Sequence, residues 1–351
     1  MDAVSARENL WRVRHGRTGI RDGFSMVKVS IVVLTKNGMP DITRCLTAVY
    51  SQRGVYPVEV VVVDSGSTDG TLDIVKSFQV RLRQIPPASF HHARTRNFAA
   101  GLTAGEILVF LSQDAIPNSD HWLEALITNF DDPRVGAVYG RQVPMPDSSL
   151  ERKDTFDVLY GDQRIVKDPA HRNGLGYRFY HFSNVNAAIR RSVWEATSFP
   201  EDLKVFEDLG IAKRILDKGW KIVYEPESCV FHSHNYTTTG LLKRYFDIGY
   251  TLKLLHIWDA PGARNSMIRD VWKLLKNKVN RIGEKDTGRL ASAGMRHDIA
   301  KSAGLLLGLN QKYLPLVLKR RLSAFRVFEP DKRRELDRNK SENSGFFVER
   351  R

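Results

Sequence analysis

Residues Ile107–Pro117 read ILVFLSQDAIP, and this stretch decides the fold. Five consecutive apolar residues, Ile107 to Leu111, are too few for a helix and are not interrupted by polar positions, which is typical of a strand buried on both faces of a parallel sheet. Polar residues follow at Ser112-Gln113-Asp114, and Pro117 prevents the strand from continuing. Because open α/β sheets bind ligands beyond the carboxyl ends of their strands, Asp114 is a candidate ligand residue. The alternative is that it only caps a helix starting near Ser119.

The 351 residues are enough for one large α/β domain with an appendage. Two cysteines, Cys45 and Cys229, cannot build a disulfide framework, and we expect buried thiols in a reducing compartment. No apolar run approaches the ~20 residues that cross a bilayer, and the first 28 residues lack the apolar core of a signal peptide. A cytoplasmic location is therefore predicted, with peripheral attachment to the inner face of the cell membrane as a further expectation.

The formal net charge of +14 is unevenly distributed along the chain. From Leu241 to the end there are 25 Lys and Arg against 12 Asp and Glu, whereas residues 29–240 hold 23 basic and 25 acidic residues. The basic segments Val271–Lys276 and Tyr313–Arg321 can lie in a membrane interface or form an ordinary helical cap. We expect an anionic membrane surface as partner and no nucleic acid, because no zinc-finger pattern or other recognition motif is present.

Hydrophobic periodicity predicts an α/β fold in which a mostly parallel, Rossmann-like sheet is flanked by helices. The predicted strands are Val29–Leu34, Val58–Val63, Val80–Ile85, Ile107–Leu111, Val135–Val143, Ser183–Ile189, Trp220–Tyr224 and Ser228–Phe231. The predicted helices are Asp41–Ser51, Leu72–Phe78, His92–Ala104, Trp122–Phe130 and Leu209–Lys218.

Four segments are predicted in chain order. Residues 1–27 form a leader with a short helix near Trp11, 28–240 the α/β domain, 241–330 a basic helical extension, and 331–351 a disordered tail. Within the domain, residues 145–178 mix charge, Gly and Pro without a period and are expected to form a long functional loop.

Three predicted strands end in polar residues at the same edge of the sheet. These ends carry Thr35 and Asn37, then Asp64 to Asp69, then Asp114, and together they define a ligand crevice. The sequence has neither GxGxxG nor GxxxxGK[ST], so neither a dinucleotide fold nor a P-loop is supported. Carboxylates at such an edge suit a divalent cation that bridges a phosphorylated ligand.

Three further groups are candidates, each with a structural alternative. Glu207-Asp208 begins a helix, where acids also complement the helix dipole. His232 and His234 flank one residue at a strand end, so both rings share a face; such a pair forms either a hydrogen-bonded rim or a ligand site. Arg94 and Arg96 fall on the helix before the Ile107 strand and form either a phosphate contact or a solvated face.

Longer motifs resemble a known family. DSGSTDGT from Asp64, after a buried strand, and HARTRNFAAGLTAGEILVFLSQDA from His92 resemble glycosyltransferase family 2, the nucleotide-sugar transferases of the GT-A fold. SQDAIP, SNVNAAIRRSVW and HSHNYT, which begin at Ser112, Ser183 and His232, are similar to its bacterial rhamnosyltransferase branch. The resemblance covers about residues 28–240 of the chain.

The resemblance implies a nucleotide-sugar site that uses residues from three strand ends: Thr35, Asn37, Asp64, Ser67, Asp69, Gln113 and Asp114. Asp64 is similar to the acid that contacts the pyrimidine nucleoside. Thr35 and Asn37 would lie beside it, and Asp69 near the ribose. Arg94 and Arg96 would neutralise the diphosphate, while His91 and His92 would shape the donor pocket or merely start a helix.

The resemblance also implies a metal site and a base. Asp114 matches the second acid of the family's DxD motif, whereas Ser112 stands in place of the first, so weak metal binding is expected because a hydroxyl is a poor ligand for a hard cation. His232, or secondarily His234, would be a further protein ligand of Mg²⁺ or Mn²⁺. Asp208 is assigned as the base that deprotonates the acceptor hydroxyl, with Glu207 as the alternative.

The expected function is that of an inverting, metal-dependent glycosyltransferase. dTDP-rhamnose is the favoured donor, and the acceptor is a hydroxyl of a cell-surface polysaccharide or of a polyprenyl-linked glycan precursor. Two alternatives stay open: a transferase of the same fold that uses a UDP-hexose, and a non-catalytic basic protein that binds membrane or nucleic acid.

Overall fold

A computed structural model describes residues 28–54, 58–145, 156, 159–172, 174–234, 236–281 and 288–329. The predicted leader and the predicted disordered tail lie outside these residues. The described residues form a nine-stranded sheet. Its strands are β1 (Val29–Thr35), β2 (Val58–Asp64), β3 (Arg81–Gln84), β4 (Ile107–Ser112), β5 (Ile116–Pro117), β6 (Val135–Val143), β7 (Ile165–Lys167), β8 (Asn186–Arg190) and β9 (Lys221–Phe231).

The sheet has the order β3-β2-β1-β4-β8-β6-β9-β5, and β7 pairs with β9. Strands β3, β2, β1 and β4 are parallel to one another, as the alternating pattern predicts. Strand β8 then runs antiparallel to both β4 and β6, while β6 and β9 are parallel. The two short strands β5 and β7 pair antiparallel with opposite parts of β9.

Helices flank the sheet and connect its strands. They are α1 (Asp41–Tyr50), α2 (Thr71–Lys76), α3 (His92–Gly101), α4 (Trp122–Ile127), α5 (Arg191–Thr197), α6 (Glu207–Asp217), α7 (Thr238–Leu254), α8 (Ala263–Arg281), α9 (Gly288–Leu309) and α10 (Leu316–Leu322). Five of them, α1 to α4 and α6, match the predicted helices to within a few residues at each end, α4 continuing as a 3₁₀ turn over Thr128–Asp131.

The central strand β4 is buried in the sheet. All five residues from Ile107 to Leu111 are buried, so the prediction of a strand covered on both faces is confirmed. On one face Val109 joins a cluster that includes the buried stripe of α1. On the other, the rings of Phe110 and Phe199 meet edge to face, with centroids 5.1 Å apart. Each such side chain contributes roughly 1.5–3 kcal/mol through burial.

The second half of the domain differs from the prediction in two places. Segment 145–178 was expected to be a loop, but it contains β7 and part of a 3₁₀ turn at Gly176–Tyr180. The two short strands predicted on either side of Pro226 are one strand, β9. Its register against β6 shifts between Gly140 and Arg141, so Pro226 falls in a bulge, where its missing N–H breaks no ladder hydrogen bond.

The described residues fall into two compact units, and the chain passes from the first to the second and back before it ends in the second. One unit comprises the residues up to Asn235 together with Leu255–Gly288; the other comprises Tyr236–Leu254 and the residues from Arg289 onward. None of the described helices is long and apolar enough to cross a membrane.

Glycines set the helix packing of the second unit. A Cβ on Gly304 would lie 2.2 Å from the carbonyl oxygen of Leu242, and one on Gly308 would lie 2.0 Å from that of Phe246. Helices α7 and α9 therefore approach backbone to backbone, which only glycine permits at these positions.

Candidate active site

Three strand ends meet at one edge of the sheet, as their polar residues predict. In the register of the parallel strands, Thr35 lies beside Asp64, and Leu34 lies beside Ser112. The loops that follow β1, β2 and β4 therefore start side by side. The edge is also where ligands of open α/β sheets bind.

The loops after β1 and β2 are tied together by polar side chains. Asp69 accepts hydrogen bonds from the backbone N–H groups of Met39 (3.1 Å) and Thr71 (3.1 Å), and from the Thr71 hydroxyl (2.6 Å). The hydrogen bond from Thr71 is the main cause of the lowered pKa of Asp69. Asn37 accepts from the N–H of Thr68 at 2.9 Å. Asp69 thus joins the start of α2 to the β1 loop, and its ribose contact stays a prediction.

Asp64 is completely buried at the end of β2. Its Oδ1 accepts from the N–H groups of Gly66 (2.9 Å) and Ser67 (3.1 Å), and its Oδ2 accepts from the Ser67 hydroxyl. Gly66 has a φ of +89°, and a Cβ there would lie 2.6 Å from Pro87. Asp64 therefore fixes the turn of this loop, and its contact with the nucleoside stays a prediction.

Gln113 links the ends of β1 and β4. Its Oε1 accepts from the Thr35 hydroxyl at 2.6 Å and from the Lys36 N–H at 2.9 Å, while its Nε2 donates to the Lys36 carbonyl at 3.2 Å. A Cβ on Gly38 would lie 2.7 Å from the same Oε1, so the β1 loop passes directly over this side chain.

Asp114, His232 and His234 converge at this edge. The two-residue strand β5 follows Asp114 and pairs with the end of β9, with Ile116 opposite Phe231. Asp114 Oδ1 lies 3.7 Å from His232 Nε2, and its Oδ2 lies 3.5 Å from His234 Nε2. One ligand atom from each residue falls within 4.8 Å of the others. Pro117 ends β5 rather than excluding a strand, because an edge position does not need its N–H.

A hydrogen-bond chain fixes the His232 ring. Nδ1 lies 3.0 Å from Gln142 Oε1, and Gln142 Nε2 donates to the Tyr160 hydroxyl (2.7 Å) and the Ser183 hydroxyl (2.9 Å). Because the Gln142 amide nitrogen faces two oxygens, Gln142 Oε1 accepts from His232 Nδ1–H. In the neutral ring this leaves the Nε2 lone pair facing Asp114. Sequence reasoning missed Gln142, although a glutamine near the end of the strand VGAVYGRQV was a usable signal.

The donor atoms of this cluster fit a divalent cation. One carboxylate and two imidazoles form a recurring ligand set of protein metal sites, and His232 has the second hydrogen-bond partner that oriented metal ligands have. The prediction left open which histidine takes part; in the structure both Nε2 atoms face Asp114.

Glu207 and Asp208 begin α6 but have different surroundings. Glu207 is buried, and its Oε1 accepts from Arg96 Nη1 at 2.7 Å and from Asn184 Nδ2 at 3.3 Å. Burial alone would raise the pKa of Glu207, but the charges of Arg96 and His92 outweigh it and lower that pKa. Asp208 is only half-buried, and its Oδ1 accepts from its neighbour's N–H at 2.9 Å.

Glu207 and Asp208 follow a backbone turn of unusual conformation. Phe206, directly before α6, has φ 56° and ψ 37°, a left-handed conformation that is uncommon for a bulky residue. Such outliers persist where the surrounding structure holds them in place, often at functional sites.

The remaining predicted residues lie on α3. His91 caps this helix through Nδ1, which accepts from the Arg94 N–H at 3.4 Å, and His92 is its first residue. The prediction that these histidines start a helix is thus confirmed, whereas a role in the donor pocket is untested. Arg96 forms an ion pair with Glu207, and this pairing competes with the predicted contact between Arg96 and the diphosphate.

Solved structures share this arrangement of elements. The mannosyltransferase PcManGT of Pyrobaculum calidifontis, solved with GDP-Man and Mn²⁺, superposes with a TM-score of 0.53 at 20% identity, covering 86% of this chain and 93% of that one. Residues 1–349 of TarS from S. aureus give a TM-score of 0.50 at 17% identity, covering 92% and 93%. The fold is therefore that of the GT-A glycosyltransferases.

Sequence comparison gives the family. Residues 30–197 match the family model described as glycosyl transferase family 2. The O-antigen chain rhamnosyltransferase RfbN of Salmonella typhimurium is 35% identical over 312 residues, which cover 86% of this chain and 96% of the relative. WbaN of Salmonella anatum, also named an O-antigen chain rhamnosyltransferase, is 34% identical over 281 residues, covering 78% and 86%. The chain belongs to glycosyl transferase family 2 and is a glycosyltransferase.

Proposed function

We propose that this glycosyltransferase moves L-rhamnose from dTDP-rhamnose to a hydroxyl of a cell-surface polysaccharide or its lipid-linked precursor, inverting the anomeric centre. The observation that carries the proposal is the convergence of Asp114, His232 and His234 where β1, β2 and β4 end. The choice of sugar is supported by the relatives that are named rhamnosyltransferases.

The donor lies against the loops after β1 and β2. The hydrogen bonds of Asp64 and Asp69 hold these loops in one conformation, so little backbone order has to be gained on binding. Thr35, Asn37, Ser67 and Gln113 belong to the same hydrogen-bonded edge, which supports their assignment to the donor site. Arg94, on the neighbouring helix, is the remaining candidate for the diphosphate.

We assign the cation to Asp114, His232 and His234. Mn²⁺ is favoured over Mg²⁺, because two of the three donor atoms are imidazole nitrogens and Mg²⁺ prefers oxygen. When bound, such an ion neutralises charge on the departing diphosphate. The two histidines offset the missing first acid at Ser112.

Asp208 is the base. Glu207, the alternative, already accepts hydrogen bonds from Arg96 and Asn184, and its lowered pKa makes it a weak proton acceptor. Asp208 would accept the proton of the acceptor hydroxyl as its oxygen attacks the anomeric carbon. Glu207 and Arg96 would hold the start of α6, and with it Asp208, in position.

The second unit supports a peripheral membrane contact. Around α10 the apolar side chains of Tyr313, Leu316 and Val317 are 73%, 51% and 65% exposed. Lys312, Lys319, Arg320 and Arg321 stand among them. Exposed apolar groups within a basic segment match the chemistry of an anionic lipid surface, which a lipid-linked acceptor would require.

Nucleotide protection tests the donor. The melting temperature is measured with dTDP, UDP and GDP, each with Mn²⁺, with Mg²⁺ and with EDTA, because a ligand that binds the folded state raises it. We expect the largest rise with dTDP and Mn²⁺. If only UDP raises the melting temperature, the proposed donor would be a UDP-sugar instead of dTDP-rhamnose. If no nucleotide raises it, a nucleotide-sugar donor would be contradicted altogether.

Two substitutions test the site. Asp208→Asn should lower turnover roughly 10²–10⁴-fold while dTDP protection is retained. Asp114→Asn should abolish the Mn²⁺-dependent part of that protection, a readout independent of turnover. Asp73→Asn, at an exposed acid of α2, is the matched control. Full turnover in Asp208→Asn would remove Asp208 from the mechanism.

A further inference from the structure

A cavity of about 590 Å³ lies within the first unit. Its walls come from β6, β7 and β9, from the chain between Leu159 and His181, and from α8. A volume of this size, within the roughly 300–1,000 Å³ range, holds a small organic ligand. None of its described lining residues belongs to the donor, metal or base sites.

The cavity is cationic. Lys167, Arg178, Lys273 and Lys276 line it, and no acidic residue is found among the described lining residues. Among the described residues, Arg178 is paired with Asp270, whose oxygens lie 2.7 Å from Arg178 Nε and Nη2. The same Asp270 docks α8 against the 3₁₀ turn, because it also accepts from the Tyr177 hydroxyl at 2.6 Å.

Lys167 is a buried lysine that has no counter-ion among the described residues. Its side chain is among the largest fully buried ones in the described part of the chain. The ammonium donates to the His181 carbonyl and lies 4.5 Å from the centre of the Tyr139 ring, and no described carboxylate pairs with it. Burial, with Arg178 adding to it, holds the pKa of Lys167 well below its usual value. Buried charges are normally paired, so an anion in the cavity would relieve an unfavourable state.

Two further features suit a polar ligand. The buried Nε2 of His181 has no hydrogen-bond partner among the described residues, and burial lowers the pKa of this ring to about 3, so it is a neutral donor or acceptor. Lys273 and Lys276 are exposed on α8, three and six residues after Asp270, where they can close over an anion.

The cavity is connected to the candidate metal site. The Tyr160 ring lies 5.5 Å from that of His181, centre to centre, while its hydroxyl accepts from Gln142, which also holds His232. A ligand in the cavity would therefore be linked to His232 through His181, Tyr160 and Gln142.

We propose that this cavity binds a diphosphate group, and that the acceptor glycan is carried on one. The assignment of this diphosphate to the acceptor rests on the proposed function, whereas the binding of an anion in the cavity does not. Lys167, Arg178 and His181 line the cavity within the sheet half of the unit, and Lys273 and Lys276 line it from α8.

Inorganic pyrophosphate is the first probe, titrated calorimetrically in EDTA so that the metal site does not contribute. Lys273→Ala/Lys276→Ala is expected to weaken its binding at least about tenfold, because a hydrogen bond to a charged group contributes that much. The control is Lys76→Ala/Lys218→Ala, which removes two exposed lysines of the same unit outside the cavity. Equal loss in both variants, loss in neither, or no binding by the wild-type chain would overturn the proposal.

A second variant tests the buried lysine. Lys167→Met removes the charge with little change of shape, so the variant should melt above the wild type without ligand and should lose the rise that pyrophosphate gives. A variant that keeps this rise would contradict the proposal.

Two further binding measurements distinguish a diphosphate ligand from a lipid headgroup. Farnesyl diphosphate should also bind less tightly to Lys273→Ala/Lys276→Ala, whereas binding to phosphatidylcholine vesicles containing phosphatidylglycerol should not change. Loss of vesicle binding alone would overturn the diphosphate site in favour of a lipid-headgroup contact. Because dTDP protection is read separately on the same variants, failure of the cavity leaves the donor result standing, and the reverse also holds.

Discussion

At the residue scale, Arg96 and Glu207 form an ion pair in which Glu207 is buried and Arg96 is largely covered, with side-chain exposed fractions of 7% and 13%. Removing one member leaves the other charge buried without a partner. Glu207→Gln is therefore expected to lower the free energy of unfolding by about 3 kcal/mol, whereas a half-buried Asp208→Asn should change it by less than about 1 kcal/mol. Urea unfolding measures both. Equal losses at the two positions would contradict the different roles assigned to them.

The same pair predicts a pH dependence. The pKa of Glu207 is lowered from 4.5 in the folded chain, so its carboxylate contributes stability that is fully present above that value and is lost as the pH falls through the lowered folded pKa. The difference in unfolding free energy between the wild type and Glu207→Gln should be constant above about pH 5.5 and should shrink below about pH 4.5. Urea titrations at a series of pH values test this, and a difference that grows in acid would contradict it.

Gln142 is predicted to act through His232. Gln142→Met removes the acceptor for Nδ1–H, so the ring can turn or change tautomer, and loss of such a partner typically lowers metal affinity roughly 10–100-fold. Mn²⁺ affinity is measured from the electron paramagnetic resonance signal of the free ion. Gln79→Met, at an exposed glutamine, should bind Mn²⁺ like the wild type. Unchanged affinity in a folded Gln142→Met would exclude this role.

At the element scale, the bulge between β6 and β9 depends on Gly140. A Cβ there would lie 2.0 Å from the Ser228 carbonyl oxygen and 2.2 Å from Asn186 Nδ2. Asn186 in turn accepts from the Trp122 indole at 2.9 Å, so the bulge, β8 and α4 are packed together. This packing aligns β6, which carries Gln142, with β9, which leads into His232.

Gly140→Ala is therefore expected to destabilise the protein by about 3 kcal/mol, because backbone and buried amide atoms would have to move. Gly161→Ala is the matched control, since a Cβ there meets no atom within 4 Å. Thermal unfolding of the two variants tests the prediction. A Gly140→Ala protein as stable as the control would show that the bulge can adjust freely.

At the scale of the whole molecule, the charge of the chain is concentrated after residue 240. We expect binding to phosphatidylglycerol-containing vesicles that weakens as ionic strength rises, because surface charges are screened within about 10 Å at 0.1 M salt. Leu316→Ser/Val317→Ser should weaken this binding about tenfold through lost apolar contact. Val58→Ser, at an exposed apolar residue of the first unit, should not. A vesicle affinity that changes neither with ionic strength nor with the double substitution would contradict a membrane contact through α10.

Sequence by itself determined the α/β class, the parallel order of β1, β2 and β4, and the polar residues at their ends. These properties follow from local rules: an apolar run of strand length, the side-chain periods of helix and strand, and the parallel pairing that aligns carboxyl ends. The motifs that begin at Asp64 and His92 also indicated the family, and the comparisons confirm it.

Only the tertiary structure decided which of these residues work together. Gln142 and His232 are 90 residues apart, and Arg96 and Glu207 are 111 apart, so no local pattern indicates either contact. The strands β5 and β7 are two and three residues long and acquire their hydrogen bonds from β9, which is why periodicity did not reveal them. The cationic cavity is likewise formed by residues distant in sequence, since Lys167 and two lysines of α8 line it together. That Lys167 is buried with no counter-ion among the described residues could not be inferred from its sequence position.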